Sequence, residues 1–193
     1  MATYRLFITL DFPEPILAQI HLIMQSLKNT LPQKGIKWVS PSILHLTLIF
    51  LGDVPIQHLP NIQAAIAKTA NLSKSATAQV GGLGAYPSLK KPNNIWIGVS
   101  AEPVFKQIFT NLETNMESIG FVPDPKGFSP HITLARITRY ATYAERNQIA
   151  DSLQKFDDAT LGSCIFDAIH LYRSDLKPSG PIYTKLYSAN IQN

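Results

Sequence analysis

Two tetrapeptides carry the residue types of acid–base chemistry at one spacing: His45-Leu46-Thr47-Leu48 and His131-Ile132-Thr133-Leu134. An imidazole takes or gives a proton near neutral pH, and a threonine hydroxyl can donate to an oxygen that gains negative charge. Side chains alternate faces along a strand, so His and Thr at i and i+2 share one face. Leu46 and Leu48, or Ile132 and Leu134, then point into a core and hold that face in place. Two such strands side by side present two imidazoles and two hydroxyls to a common groove. With five histidines and thirteen threonines in 193 residues, a Thr two places after a His is expected about 0.3 times by chance. Two occurrences inside apolar, strand-like runs (residues 44–51 and 129–137) exceed that. The bland alternative is that both imidazoles merely line or cap their strands.

Paired imidazoles suit phosphodiester chemistry. One, neutral, removes a proton from the attacking oxygen, and the other, protonated, delivers one to the departing oxygen. Charge on one ring disfavours charge on its neighbour, so the pair titrates in two separated steps. Thr47 and Thr133 then donate to non-bridging phosphate oxygens as charge builds on them. Zinc chemistry is the sharpest competitor, because His is a common ligand. Catalytic zinc generally takes three protein ligands, however, and neither motif contains Asp, Glu or Cys, so no metal or other cofactor is expected. Ser129 before Pro130 reads as a turn residue and Cys164 as a small core residue rather than nucleophiles. His21, His58 and His170 read as packing or surface residues.

The positioning elements follow from periodicity. Strands are expected over residues 4–11, 36–39, 44–51, 76–83, 95–99, 129–137, 163–173 and 182–188. Helices are expected over 13–31, 57–72, 103–120 and 143–156, each with apolar residues near helical spacing. A polar loop over 86–92 should separate two of the strands, and a Pro- and Gly-rich loop over 123–127 leads to the second motif. Strand, helix, strand, helix, strand thus occurs twice, with no linker between independent domains.

Composition sets the outer limits. Hydrophobic residues make up 45% and charged residues 16% of the chain, the range of an ordinary globular protein able to bury a core. No run approaches a membrane span, the first residues lack the pattern of a signal peptide, and the single cysteine excludes an internal disulfide. A cytoplasmic protein is expected. The net charge of +4 is compatible with an RNA end or a nucleotide as substrate and does not by itself select one.

These residues resemble the two-histidine phosphoesterases, and within them the RNA 2′,3′-cyclic phosphodiesterases, also known as the LigT-like 2′-5′ RNA ligase family. The likeness rests on Arg5-Leu6-Phe7-Ile8, Lys37-Trp38-Val39, the run from Leu44 to Gly52, Tyr86-Pro87-Ser88, Ile95-Trp96-Ile97-Gly98-Val99, the run from Phe128 to Arg136, and Pro178-Ser179-Gly180-Pro181-Ile182-Tyr183. It implies an α+β fold of two lobes about a pseudo-twofold axis, residues 1–193 acting as one unit. Two mainly antiparallel sheets flanked by helices would surround a central groove. It further implies metal-independent opening of a ribose 2′,3′-cyclic phosphate to a 2′-phosphate, on RNA 3′ ends or nucleotides, by a monomer. His45 would be the proton donor and His131 the proton acceptor. The residues alone leave those roles exchangeable. Arg136 would lie near the phosphate or ribose, and Tyr86 would contact substrate, as one of three candidate stacking rings with Trp38 and Phe50; core packing is the expectation for the latter two. Ile49 departs from the family pattern, where a basic residue is common. Lys34, Lys37, Lys90, Lys91, Arg136, Arg139, Arg173 and Lys177 could rim the groove. Two further readings remain: cleavage or joining of 2′-5′ linkages by the same imidazoles, and a non-catalytic nucleotide-binding module.

Overall fold

The structure, a computed structural model, describes residues 2–101, 103–122, 129–155, 160–178 and 180–192. In chain order these form β1 (Thr3–Leu10), α1 (Glu14–Thr30), β2 (Ile36–Trp38), a 3-10 turn (Pro41–Ile43), β3 (Leu46–Pro55), a second such turn (Ile56–His58) and α2 (Leu59–Asn71). There follow β4 (Ala76–Ser88), β5 (Lys91–Ala101), α3 (Pro103–Glu117), β6 (His131–Ile137), α4 (Tyr143–Leu153), β7 (Thr160–Phe166), β8 (Ala168–Lys177) and β9 (Gly180–Asn190). The loop expected over 123–127, together with Phe128, Phe156 and Ser179, lies outside the described residues. No described helix is long and apolar enough to cross a membrane.

Local chemistry explains the helices. Pro15 opens α1 with its φ already helical, Glu14 and Lys28 complement the helix dipole at either end, and Ile16, Ile20, Met24 and Leu27 form its buried stripe. Thr142 and Glu145 close a reciprocal capping box on α4. Between α2 and α3, the buried Asn115 amide donates to Thr69 Oγ1 at 2.9 Å, which pairs two polar groups that burial would otherwise penalise.

The strands make two antiparallel sheets, in the orders β3-β1-β8-β9 and β2-β6-β5-β4-β7. The expected α+β architecture is therefore present, with three differences of detail. The motif strands are not neighbours: β3 edges the first sheet, whereas β6 runs inside the second. The strand expected over 163–173 is two strands in different sheets, switching at Asp167 between buried Phe166 and buried Ile169. Both pieces alternate, so periodicity alone does not see the switch. The polar loop expected over 86–92 is the end of a hairpin. There β4 and β5 stay paired to Ser88 and Lys91, and Pro87 faces Pro92 beyond the stretch of β4 that pairs with β7.

A shared irregularity marks the two motifs. Thr47 pairs with Thr9 and Ile49 with Ile8, leaving Leu48 as an extra residue. Thr133 pairs with Trp96 and Ala135 with Ile95, leaving Leu134 as an extra residue. The fourth residue of each motif is thus a bulge with a buried leucine, and a bulge inverts the alternation beyond it. Strict alternation puts Phe50 and Arg136, each five residues past its histidine, on the core face. The bulges turn both outward: Phe50 is 74% exposed, contrary to the core packing expected for it, and Arg136 is exposed as well.

One close approach supports the second motif. Gly84 pairs with Trp96 in the β4–β5 hairpin, and a Cβ at this position would collide with the indole. That indole in turn lies 6.1 Å from the His131 ring, between centroids. Gly84→Ala should therefore overpack the site and destabilise the fold by about 1–3 kcal/mol, read as an earlier denaturant midpoint with altered Trp96 fluorescence, while Gly82→Ala, whose Cβ meets nothing within 4 Å but whose φ of +73° strains any side chain, should lower the midpoint through the backbone and leave Trp96 fluorescence unchanged.

Candidate active site

His45 stands immediately before β3 and His131 opens β6, so each imidazole is fixed at a strand entrance rather than in mid-strand. In both, the ring Nδ1 lies 2.7 Å from the backbone carbonyl oxygen two residues earlier, Ile43 for His45 and Ser129 for His131. A carbonyl only accepts, so Nδ1 carries the hydrogen in each case. Nε2 is left as the working nitrogen: a lone pair in the neutral ring, an N–H in the cation.

Aromatic rings hold both imidazoles in place. Phe7 and the edge of Tyr183 pack on His45, at centroid distances of 5.0 and 5.4 Å. Tyr86 packs edge-on against His131 at 5.1 Å, with Trp96 behind. The Tyr86 hydroxyl and Ser129 Oγ share a 2.7 Å hydrogen bond. Tyr86 thus touches both the second imidazole and the residue whose carbonyl orients it, from a position outside the groove lining.

His45, Thr47, His131, Thr133 and Arg136 line one groove of about 400 Å³. Ser129, Ile49, Phe50 and Tyr183 line it too, so the apolar departure at Ile49 faces the same space. Sequence reasoning missed Glu113 of α3, which lines this groove as well. Burial, aided by the charge of Glu117, pushes its carboxyl above the usual range. Only its place beside inward Leu112 and Met116 could have signalled it. Of the basic residues expected around the groove, Arg136, Lys37 and Lys177 line it or the adjoining cleft, Lys34, Lys90, Lys91, Arg139 and Arg173 line neither, and Arg5 is an addition. Trp38 is half-buried and lines that cleft.

Burial pushes the pKa of His45 down, opposed in part by the Ile43 carbonyl and the charge of Asp11. Asp11 accepts from the Tyr172 hydroxyl and from Lys185, each at 2.8 Å, with His170 Nε2 at 3.6 Å. Burial alone would raise the Asp11 carboxyl, but Lys185, His170 and Tyr172 together hold it below its ordinary value. His170, expected to be a packing residue, is therefore a member of this cluster. His58 is half-buried, and His21 Nε2 is buried with no hydrogen-bond partner among the described residues. Cys164 is buried in β7, its thiol pushed up to about 11 by desolvation. Among the described residues no three of His, Cys, Asp and Glu converge on a point where a metal ion could sit.

Comparison with known proteins bears on the family and the fold. Residues 10–96 and 97–183 each match the LigT like phosphoesterase family, one histidine motif falling in each stretch. An RNA 2′,3′-cyclic phosphodiesterase of Archaeoglobus fulgidus is 29% identical over 94% of this chain and 97% of its own. The crystal structure of TT0787 of Thermus thermophilus superposes with a TM-score of 0.81 at 29% identity, covering 97% of this chain and 98% of that one. Escherichia coli LigT complexed with 3′-AMP shares the fold, with a TM-score of 0.73 at 23% identity over 99% of both chains.

The burial of His45 has a spectroscopic consequence. In the ligand-free protein its ring should titrate with a midpoint below 6.5, the ordinary value, and both imidazoles should show Nδ1–H resonances. A His45 midpoint above 6.5 by NMR titration contradicts a ring dominated by desolvation.

Proposed function

The chain belongs to the LigT like phosphoesterase family, and on that premise we propose that it opens 2′,3′-cyclic phosphates at RNA 3′ ends or on nucleotides to 2′-phosphates. The observation that carries this reading is the matched pair of pinned imidazoles, each offering Nε2 at the wall of one groove. His131, neutral, takes a proton from water as its oxygen attacks phosphorus. The bond from phosphorus to O3′ breaks, and O3′ receives the proton of His45 Nε2–H. One P–O bond forms and one breaks. The water proton resides on His131 and the donor is left neutral until solvent restores both states. Thr47 and Thr133 donate to the non-bridging oxygens, where negative charge grows, and Arg136 offers a fixed cation at the same wall.

The depressed pKa of His45 fits a donor in one specific sense. A weaker hold on the proton makes the cation a stronger acid, at the cost of a smaller charged population near neutrality. A bound phosphate places a negative charge beside the ring where burial had removed stabilising water, and draws the pKa back up. No Asp, Glu or Cys stands beside the imidazoles in the motifs, and the proton transfers balance with these groups alone.

Turnover of a nucleoside 2′,3′-cyclic phosphate in the presence of chelator should give the 2′-monophosphate. Appearance of the 3′ isomer, turnover only of 2′-5′ dinucleotides, or saturable binding without turnover would each remove the reading. His45→Ala and His131→Ala should each lower the rate by at least about a hundredfold. Thr47→Val or Thr133→Val should cost on the order of tenfold, the worth of one hydrogen bond to a charged group.

The residual pH dependence of the two histidine variants assigns their roles. With only the acceptor left, the rate of His45→Ala should rise with pH to a plateau as His131 loses its proton. With only the donor left, the rate of His131→Ala should fall as pH rises through the titration of His45. Opposite slopes would exchange the two assignments.

A further inference from the structure

One carboxylate stands in a groove otherwise suited to phosphate. Glu113 of α3 lines it together with Ile49 and Phe50. The side chain is half-buried, and among the described residues it has no hydrogen-bond or ion-pair partner. Burial and the charge of Glu117 both disfavour its ionised form. A carboxylate in this place loses hydration and repels a phosphate, unless the substrate itself brings donors to it.

The same residue borders a recess of about 190 Å³ that shares Ile49, Phe50 and Glu113 with the groove. Leu51, Met116, Phe121 and Val122 add apolar surface, and Glu113 is the one charged member of the lining among the described residues. The exposed ring of Phe50 stands where groove and recess meet. Along β3, Ile49 lies two residues beyond Thr47, or about 7 Å, the reach of one sugar between its phosphate and its base. A flat ring with polar edges suits such a place, its faces against Phe50 and Ile49 and one edge toward the carboxylate.

Resting on the reaction proposed above, we propose that Glu113 selects guanine as the base of the nucleotide that carries the cyclic phosphate. An ionised carboxylate offers two acceptor oxygens and no donor. On the Watson–Crick edge of guanine, N1–H and the 2-amino group point the same way and meet both oxygens in a fork. Adenine and cytosine each set one amino donor beside an acceptor ring nitrogen, and uracil sets one N–H between two carbonyls. Each of these leaves a carboxylate oxygen facing a lone pair, so the pairing that favours guanine also disfavours the rest. Stacking on Phe50 is blind to base identity and contributes to all of them.

The test measures kcat/KM for the 2′,3′-cyclic phosphates of guanosine, adenosine, cytidine, uridine and inosine. Guanosine should lead by a factor on the order of ten, the discrimination of one bidentate pair. The lead should lie in KM, because the base is held alike in the ground and transition states. Inosine keeps N1–H but lacks the 2-amino group, and should lose most of it. In Glu113→Gln the amide keeps the shape but turns an NH2 toward one guanine donor, so the ratio of guanosine to adenosine should fall to about one. A merely structural role would lower all five values together and keep their ratios. No guanosine lead in the unaltered protein, an inosine substrate as good as guanosine, or a lead that survives in Glu113→Gln overturns the proposal. Absence of turnover on all five would sink the reaction instead. Glu113 is then decided by calorimetry with the 2′-monophosphates of guanosine and adenosine. Tighter guanosine binding, on the order of tenfold and lost in Glu113→Gln, supports the proposal; equal binding by the unaltered protein, or a preference kept in the variant, ends it.

Discussion

Everything in the groove depends on one repeated hydrogen bond. At two places 86 residues apart, an imidazole Nδ1–H is held 2.7 Å from the carbonyl of the residue two positions earlier. The bond is local, so it needs no distant partner, and it fixes ring orientation and tautomer together. A ring flip would offer Nδ1 to the groove, the other tautomer would set a lone pair against the carbonyl, and either would leave that carbonyl unmatched. The surrounding rings, Phe7 and Tyr183 on one side and Tyr86 and Trp96 on the other, then have only to prevent tilting. Identity of arrangement with difference of surroundings is what separates the two histidines: the same pin, with the Asp11 cluster behind His45.

Much of this is legible in the residues. The spacing of His, Thr and apolar neighbours locates both motifs, and the burial of Leu46, Leu48, Ile132 and Leu134 follows from alternation as expected. The pin to the i−2 carbonyl is not legible, because it depends on the backbone turning just ahead of each strand and not on side-chain type. The bulges hide for a related reason: an extra residue in a ladder is a property of the pair of strands, and Leu48 reads the same whether or not β1 keeps step with it. Hence Phe50 is misplaced by pattern and correctly placed only by register. Arg5 and Glu113 escape because each joins the site from an element remote from both motifs, β1 and α3.

The two halves use equivalent positions for unlike purposes. Five residues after the first histidine stands an aromatic ring, and five after the second a guanidinium, both delivered to the same rim by the same irregularity. Repetition supplied the geometry and divergence the chemistry. A backbone device that re-aims whatever side chain follows it lets one half set a ring and the other a charge at the rim, without moving the two imidazoles between them.

The strand order carries a consequence for biosynthesis. In the first sheet β1 lies between β3 and β8, so β1 waits on the ribosome for a strand made much later in the chain. Until β8 arrives, one edge of β1 has unpaired amides and carbonyls above an apolar face, a template for association with other nascent chains. Long-range closure of this kind is slow, and a truncated translation product would carry the first imidazole on an open-edged sheet.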